Sequence, residues 1–334
     1  MQKVSPLSMR KYSVITPVYN RPDELAELLE SLANQSFPPS EVIIVEDGSV
    51  QKADDVCRIF QDRLKIHYYF KENSGQGFSR NYAFERASGD YFIQFDSDAV
   101  IPPDYFEKID KALDMHKWDA FGGPDAADAT FTPVQKAINY AMTSVFTTGG
   151  IRGKKNNLGG QFHPRSFNFG ISRQVWETVG GYKVTRMGED IEYSIRIINS
   201  GFRVGLIEEA FVYHKRRTSF QQFFRQLHFF GRARINIARF YPKELKLVHL
   251  FPSFFFLAAS SIPFWFVVFP PFGWLGLCIY LIYFVTVGID AYRQNQSIHI
   301  AFLSLWACVI QLNAYGIGFI SEGITYLTEP KSKN

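Results

Sequence analysis

Apolar and polar positions fall into two alternating periods along the first hundred residues. "YSVITPV" (12–18) is apolar and β-branched and predicts a strand. In "RPDELAELLESLANQ" the spacing puts Leu25, Leu28, Leu29 and Leu32 on one face of a helix that Pro22 opens. "EVIIVED" (41–47) predicts a second strand, with a polar helix around 51–63 after it. "KIHYYF" (65–70) predicts a third, followed by a helix near 79–87, and Ser88-Gly89 then turns into the strand "DYFIQFD" (90–96). Strands alternating with helices imply an α/β fold whose sheet is mostly parallel, joined by right-handed crossovers. No internal repeat or low-complexity linker interrupts the pattern.

Further along the chain the polar positions disappear. Residues 1–247 carry 33 Lys and Arg against 29 Asp and Glu, whereas residues 248–334 carry three and three. Residues 248–289 are 42 positions without Asp, Glu, Lys or Arg, and residues 294–321 are another 28. A membrane helix needs about 20 mainly apolar residues. The first run therefore has room for two spans, 248–269 and 272–289, broken at Pro270-Pro271. The second offers 298–320, a poorer span because Gln311, Asn313, Gly316 and Gly318 interrupt it. Buried core helices are the competing reading, but uncharged runs of this length are rare in soluble cores. The net charge of +4 averages over two unlike parts.

The N-terminus, "MQKVSPLSMRKYS", holds no apolar stretch long enough for a signal peptide, so residues 1–247 are expected in the cytosol, beginning with a tail at 1–11. Cys57, Cys278 and Cys308 form no metal or disulfide pattern. Between the two parts, residues 215–247 hold nine Lys and Arg against Glu244 alone. Here Ser219-x-x-Gln222 has the form of a capping box, and Phe220, Phe223, Phe224, Leu227 and Phe230 recur at helical spacing. Such a helix is expected in the lipid headgroup region with its arginines on anionic phosphates; an ordinary surface helix is the alternative. The same basic excess places that side of the membrane in the cytoplasm. No nucleic-acid motif accompanies the belt, so no nucleic-acid partner is expected.

One predicted strand ends in an unusual way. "IQFDSDAV" (93–100) closes on Asp96 and Asp98, which an extended chain would set side by side with Ser97 facing away. Two carboxylates that close repel unless a positive group joins them, so the pair either lies in water on a turn or holds a cation. In open α/β sheets ligands bind beyond the carboxyl ends of the strands. Those ends are Pro17-Val18-Tyr19-Asn20, Glu46-Asp47-Gly48-Ser49 and Asp96-Ser97-Asp98. Acidic and turn residues converge there, which favours the cation.

Taken in order, "VITPVYNRPDELAELLESLANQSFPPSEVIIVEDGS", "SGQGFSRNYAFERASGDYFIQFDSDAVIPP", "NFGISRQVWETVGGY" and "GEDIEYSIRIINSGFRVGLIEEAFVYH" resemble the family 2 glycosyltransferases. The resemblance covers residues 12–214 and implies a catalytic domain of the GT-A fold. It implies transfer of a sugar from a nucleoside-diphosphate sugar donor, with inversion and with Mg²⁺ or Mn²⁺. On the family pattern Asp47 reads the nucleobase, near Pro17 and Tyr19, and Arg80 contacts the nucleotide. Asp96 and Asp98 hold ribose and metal, and His214 meets the metal or the diphosphate. Asn168 and Glu189 fall on the acceptor side, and Asp190 is the general base. A hard cation takes oxygen ligands, and a single displacement needs a base opposite the leaving group.

Each assignment has a structural rival. Asp47 and Ser49 suit a turn, Asp190 complements a helix N-terminus, and His214 suits a satisfied core histidine. The first acid before Gly48 is Glu46 where the family often has aspartate, and Gln222-Phe223-Phe224-Arg225 precedes Gln226 where processive members have tryptophan. Addition of one sugar is therefore expected, to a lipid-linked glycan on the cytoplasmic face of the cell's inner membrane. The domain boundaries follow as 12–214, a basic interfacial segment at 215–247, and a multi-pass membrane region at 248–334 whose lipids are partners. A polyprenyl-phosphate glycosyltransferase is the alternative, disfavoured because an acceptor phosphate needs no strong base. Further off stand a non-catalytic sugar-nucleotide-binding protein and a nucleotidyltransferase.

Overall fold

The computed structural model describes residues 10–126, 131–149 and 161–329; of the tail expected at 1–11, residues 1–9 lie outside them. In chain order the elements are β1 (Tyr12–Val18), α1 (Pro22–Ala33), β2 (Glu41–Asp47), α2 (Asp54–Ile59), β3 (Ile66–Lys71), α3 (Gln76–Phe84), β4 (Tyr91–Phe95) and β5 (Ala99–Val100). Then follow α4 (Tyr105–His116), β6 (Ala120–Gly122), β7 (Asp125–Ala126), α5 (Pro133–Thr143), α6 (Val145–Thr148), β8 (Asn168–Ser172), α7 (Arg173–Val179), α8 (Glu189–Asn199), β9 (Val204–Leu206) and β10 (Val212–His214). The C-terminal helices are α9 (Phe220–Phe240), α10 (Phe251–Val268), α11 (Pro270–Asn295) and α12 (Ile298–Thr328). Two compact units result, one from the described residues of Met1–Ala126 and Gln161–Lys215, the other from those of Ala127–Gly160 and Arg216–Asn334.

The first unit is built on a seven-stranded sheet of order β3-β2-β1-β4-β8-β6-β9. β3, β2, β1 and β4 are parallel, while β8 runs antiparallel to β4 and β6. Helices cover both faces. Val14 of β1 and Val42 of β2 pack with Leu25, Leu28, Leu29 and Leu32 of α1, and Ile15 and Ile43 pack on the other side with Ala83 and Phe84 of α3. A parallel sheet buried on both sides reads as continuous apolar runs, which is the character of 12–18 and 41–47. All four α1 leucines are fully buried, each contributing about 1.5–3 kcal/mol of transfer free energy. A second sheet, β5-β10-β7, sets His214 opposite Ala99.

Three boundaries differ from the sequence expectation, each for a visible reason. β4 stops at Phe95, because Asp96 to Asp98 form a turn closed by the Ala99 N–H on the Asp96 carbonyl at 3.1 Å. The aspartates are thus neighbours across a turn rather than on one face of a strand, and Ser97 is buried. α2 is short and begins after Ala53, whose N–H donates to the buried Glu46 carboxylate at 2.8 Å. α3 begins early, at Gln76, because the Asp47 carboxylate accepts the N–H groups of Ser74 and Gly75, both at 2.9 Å.

The second unit has a core of Ala137, Ile138 and Ala141 from α5, Phe223 and Leu227 from α9, Val287 and Ala291 from α11, and Ala307, Cys308 and Ala314 from α12. α5, which sequence had placed within 12–214, thus packs with the C-terminal helices, and Tyr140 donates its hydroxyl to Asp290 at 2.7 Å. α9 and α12 touch backbone to backbone: a Cβ on Gly231 would lie 2.1 Å from the Tyr315 carbonyl oxygen, and one on Gly318 would lie 2.1 Å from that of His228. Buried Glu322 receives Arg232 at 2.8 Å and Arg239 at 3.1 Å. At the start of α9 the capping box is shifted by one residue, since Ser219 accepts the Gln222 N–H while Gln222 reaches back to the Thr218 N–H.

Among the described residues, three helices are long and apolar enough to cross a membrane, Leu247–Val268, Pro270–Asn295 and Ile298–Thr328. They differ in cover: 56% of the apolar window of α12 is buried inside the protein, against 11% for each of the other two.

Candidate functional site

The carboxyl ends of β1, β2, β3 and β4 carry the polar groups. After β1, Asn20 adopts a left-handed conformation (φ 52°) and its side-chain oxygen accepts the N–H groups of Val50 at 2.8 Å and Gln51 at 3.0 Å. That clips the β1 loop to the β2 loop. Tyr19 is exposed beside it, and Pro17 pairs with Val45. Glu46 is fully buried and serves the loop, accepting from Ser49, Ala53 and Tyr68. Asp47 receives Lys71 and the Ser74 and Gly75 N–H groups; burial pushes its carboxyl up, but Lys71 and the Ser74 N–H outweigh this and hold it below the usual range. Gly48, at φ 76°, has room for no Cβ, which would lie 2.8 Å from the Asn73 nitrogen.

Asp96, Asp98 and His214 come together, with one candidate ligand atom from each lying within 4.8 Å of the others. The pairing of β10 with β5 brings the histidine in, and its ring stacks on Phe167. His214 Nε2 lies 3.0 Å from Asp98 Oδ1, while Nδ1 is buried with no hydrogen-bond partner among the described residues. Burial pushes the Asp98 carboxyl up, but His214 and then Arg21 outweigh it and leave it far below the usual carboxylate range. Burial likewise lowers His214, and Asp98 reverses this to a net rise. Two carboxylates and one imidazole nitrogen fit a divalent ion of the Mg²⁺ or Mn²⁺ kind, the nitrogen being better suited to Mn²⁺.

Arg80 sits at the centre. Its side chain is wholly enclosed, with Nη2 2.7 Å from Asp96 and Nη1 3.9 Å from Glu189. Nε and Nη1 have no hydrogen-bond partner among the described residues. Glu189 also accepts from Gln76. Burial, then the neighbouring Asp190 charge, push the Glu189 carboxyl up to about 7 against the opposing pull of Arg80. Asp190 accepts the Ile191 N–H at 2.8 Å and stands 3.9 Å from Arg165, with 15% of its side chain exposed.

Asn168 is placed differently from the rest. It begins β8, fully buried, its amide donating to the Ala210 carbonyl at 2.8 Å and accepting the Tyr105 hydroxyl at 2.6 Å. Its side chain, fully buried, braces the strand next to β4. Sequence reasoning missed Arg21, Lys71 and Gln76. Arg21 and Lys71 stand at carboxyl ends of strands, a position that could have marked them; Gln76 meets Glu189 across 113 residues, for which no local pattern exists.

The sequence model described as glycosyl transferase family 2 matches residues 13–180. A Bacillus subtilis strain 168 glycosyltransferase provisionally assigned to teichuronic acid biosynthesis, TuaG, is 34% identical over 131 residues, 38% of this chain and 52% of its own. The Staphylococcus aureus poly(ribitol-phosphate) beta-N-acetylglucosaminyltransferase TarS is 33% identical over 115 residues, 33% of this chain and 20% of its own. The chain thus spans about half of the one relative and a fifth of the other. Among solved structures, a mannosyltransferase of Pyrobaculum calidifontis in complex with GDP-Man and Mn²⁺ shares the fold, with a TM-score of 0.56 over 98% of this chain and 90% of that one, at 16% identity.

Proposed function

The chain belongs to glycosyltransferase family 2, and on that premise we propose that it moves one sugar from a nucleoside-diphosphate donor to a hydroxyl of a glycan acceptor, with inversion. The observation that carries this reading is Arg80. Enclosed on all sides, it bonds Asp96 at 2.7 Å and stands 3.9 Å from Glu189, so one fixed cation ties the aspartate turn to the start of α8. An in-line displacement needs donor and base held at such close quarters.

In this reading Asp190 takes the proton of the acceptor hydroxyl as its oxygen bonds to the anomeric carbon. The bond from that carbon to the diphosphate breaks, and its electron pair leaves with the nucleoside diphosphate. Of the two adjacent acids Asp190 is the one open to an acceptor, whereas Glu189 is buried against Gln76 and Arg80 and acts as a positioning residue. Asp96, Asp98 and His214 would hold a divalent ion, which would supply positive charge to the leaving diphosphate. Asp47, Pro17 and Tyr19 are assigned to the nucleobase end, and Asn168 to support of β8. The names of TarS and TuaG favour a cell-surface polymer or its lipid-linked precursor as acceptor. The uncovered apolar faces of α10 and α11 favour anchorage in a membrane, and the Lys and Arg excess at 215–247 favours the cell's inner membrane with the first unit in the cytoplasm.

Full-length protein in detergent, melted with UDP, GDP or dTDP and Mn²⁺, tests this. One nucleotide should raise the melting temperature, since a ligand at 100 times its Kd adds about 2.7 kcal/mol, and its sugar conjugate should be hydrolysed slowly in a metal-dependent way. Stabilisation by none of the three would overturn the reading. Near-normal turnover in Asp190→Asn would instead favour a phosphate acceptor.

A further inference from the structure

We propose that Arg21 is a resident counter-cation of Asp98, which leaves when a divalent ion binds and then holds a phosphate of the donor. This rests on the preceding reading and adds a residue and a binding order to it. Both oxygens of Asp98 are engaged: Oδ1 faces His214 Nε2 at 3.0 Å, and Oδ2 accepts Arg21 Nη1 at 2.6 Å. Asp96 is held by Arg80. Each aspartate of the turn is thus neutralised by a protein arginine.

The two arginines are not equivalent. Arg80 has no exposed side-chain surface, whereas that of Arg21 is 35% exposed. Arg21 stands at the head of α1 without capping it, and among the described residues its guanidinium has no hydrogen-bond partner other than Asp98. Its backbone is steadied by the clip at Asn20, so the side chain can move while the loop stays. After Asp98, the charges that act on it most are Glu24 and Asp96.

A divalent ion on Asp98 brings two positive charges against the guanidinium, and the repulsion favours its departure. The same ion brings a diphosphate to the strand ends, and a guanidinium pairs with phosphate through parallel N–H bonds. Arg21 therefore exchanges a carboxylate for a phosphate. Ion and nucleotide should then bind with positive coupling, because the nucleotide offers Arg21 a partner that the ion alone does not. Such coupling is reciprocal.

The test is Mn²⁺ affinity by electron paramagnetic resonance and nucleotide affinity by calorimetry, on full-length protein in detergent. UDP, GDP or dTDP serves, whichever stabilises the wild type. Arg21→Gln should bind Mn²⁺ alone about two- to five-fold more tightly, the range set by a partly exposed ion pair. It should bind nucleotide with Mn²⁺ about ten-fold more weakly, the loss of a charge-assisted hydrogen bond. Arg21→Lys, which keeps the charge, should lie between on both measures and melt like the wild type. Asp98→Asn should lose Mn²⁺ in either case. If Asp98→Asn loses Mn²⁺ while Arg21→Gln changes neither affinity, the exchange is wrong and the site assignment stands. If Asp98→Asn binds Mn²⁺ like the wild type, the site assignment fails and the exchange with it.

Discussion

Glu189 and Asp190 are neighbours in sequence with opposite surroundings, and the roles proposed for them rest on that difference. Asp190→Asn keeps the shape and removes the proposed proton acceptor, so donor and Mn²⁺ binding should stay near normal while turnover falls roughly 10²–10⁴-fold; calorimetry beside initial rates reads both. Glu189 makes a separate prediction through its raised carboxyl, about 7 in the fold against an ordinary 4.5. Between those values the folded chain holds a proton that the unfolded chain has released. The stability from this group is therefore full below the ordinary value and lost as pH rises through about 7. Glu189→Gln imitates the protonated form and can still accept from Gln76. Its melting temperature should pull ahead of the wild type from about pH 5 to about pH 8, by a few degrees, and a constant gap would mean that Glu189 is ionised throughout. The acids at the strand ends were legible in the sequence because each sits after a patterned strand. The brace at Asn168 was not, since Tyr105 and Ala210 lie far from it along the chain.

At the scale of elements, β1 and β2 match their apolar runs residue for residue, and α1 its leucine stripe, because burial on a two-sided sheet writes itself into local pattern. What the pattern left out was long-range. Phe223 and Leu227 of α9 were legible as an apolar stripe, but their partner is α12, some ninety residues on, rather than a lipid surface alone. Gly231 is the check on that contact. In an open helix Gly→Ala gains about 1 kcal/mol from helix propensity. At Gly231 the new methyl would meet the Tyr315 carbonyl at 2.1 Å, and overpacking of this kind costs about 1–3 kcal/mol. Gly231→Ala should thus lower the melting temperature in detergent, whereas Gly323→Ala, with nothing within 4 Å, should hold or raise it. Equal behaviour of the two variants would remove the close packing of α9 on α12.

For the whole molecule, the uncovered apolar helices predict that the full chain stays with membranes through high salt and alkaline carbonate and leaves only in detergent. Cys278 offers a check within the native sequence, because it is exposed on α11 while Cys57 and Cys308 are buried. In intact membranes it should react with an apolar maleimide and resist a charged one. If Ile298–Thr328 also spans, a C-terminal tag should report the side opposite to a tag near residue 200; the same side would mean that α12, the most covered of the three helices, does not cross. The α9–α12 contact also has a consequence in time. Arg232 and Glu322 are 90 residues apart, and at about 5–20 residues per second a ribosome needs roughly 5–18 s to make that interval. Throughout it α9 is finished and its partner does not exist. The nascent chain must shelter Phe223 and Leu227 somewhere, and the basic face of the same helix would supply the means by drawing it onto an anionic bilayer surface. The belt that reads as a lipid-binding helix would then be one during synthesis, before α12 arrives to replace the lipid.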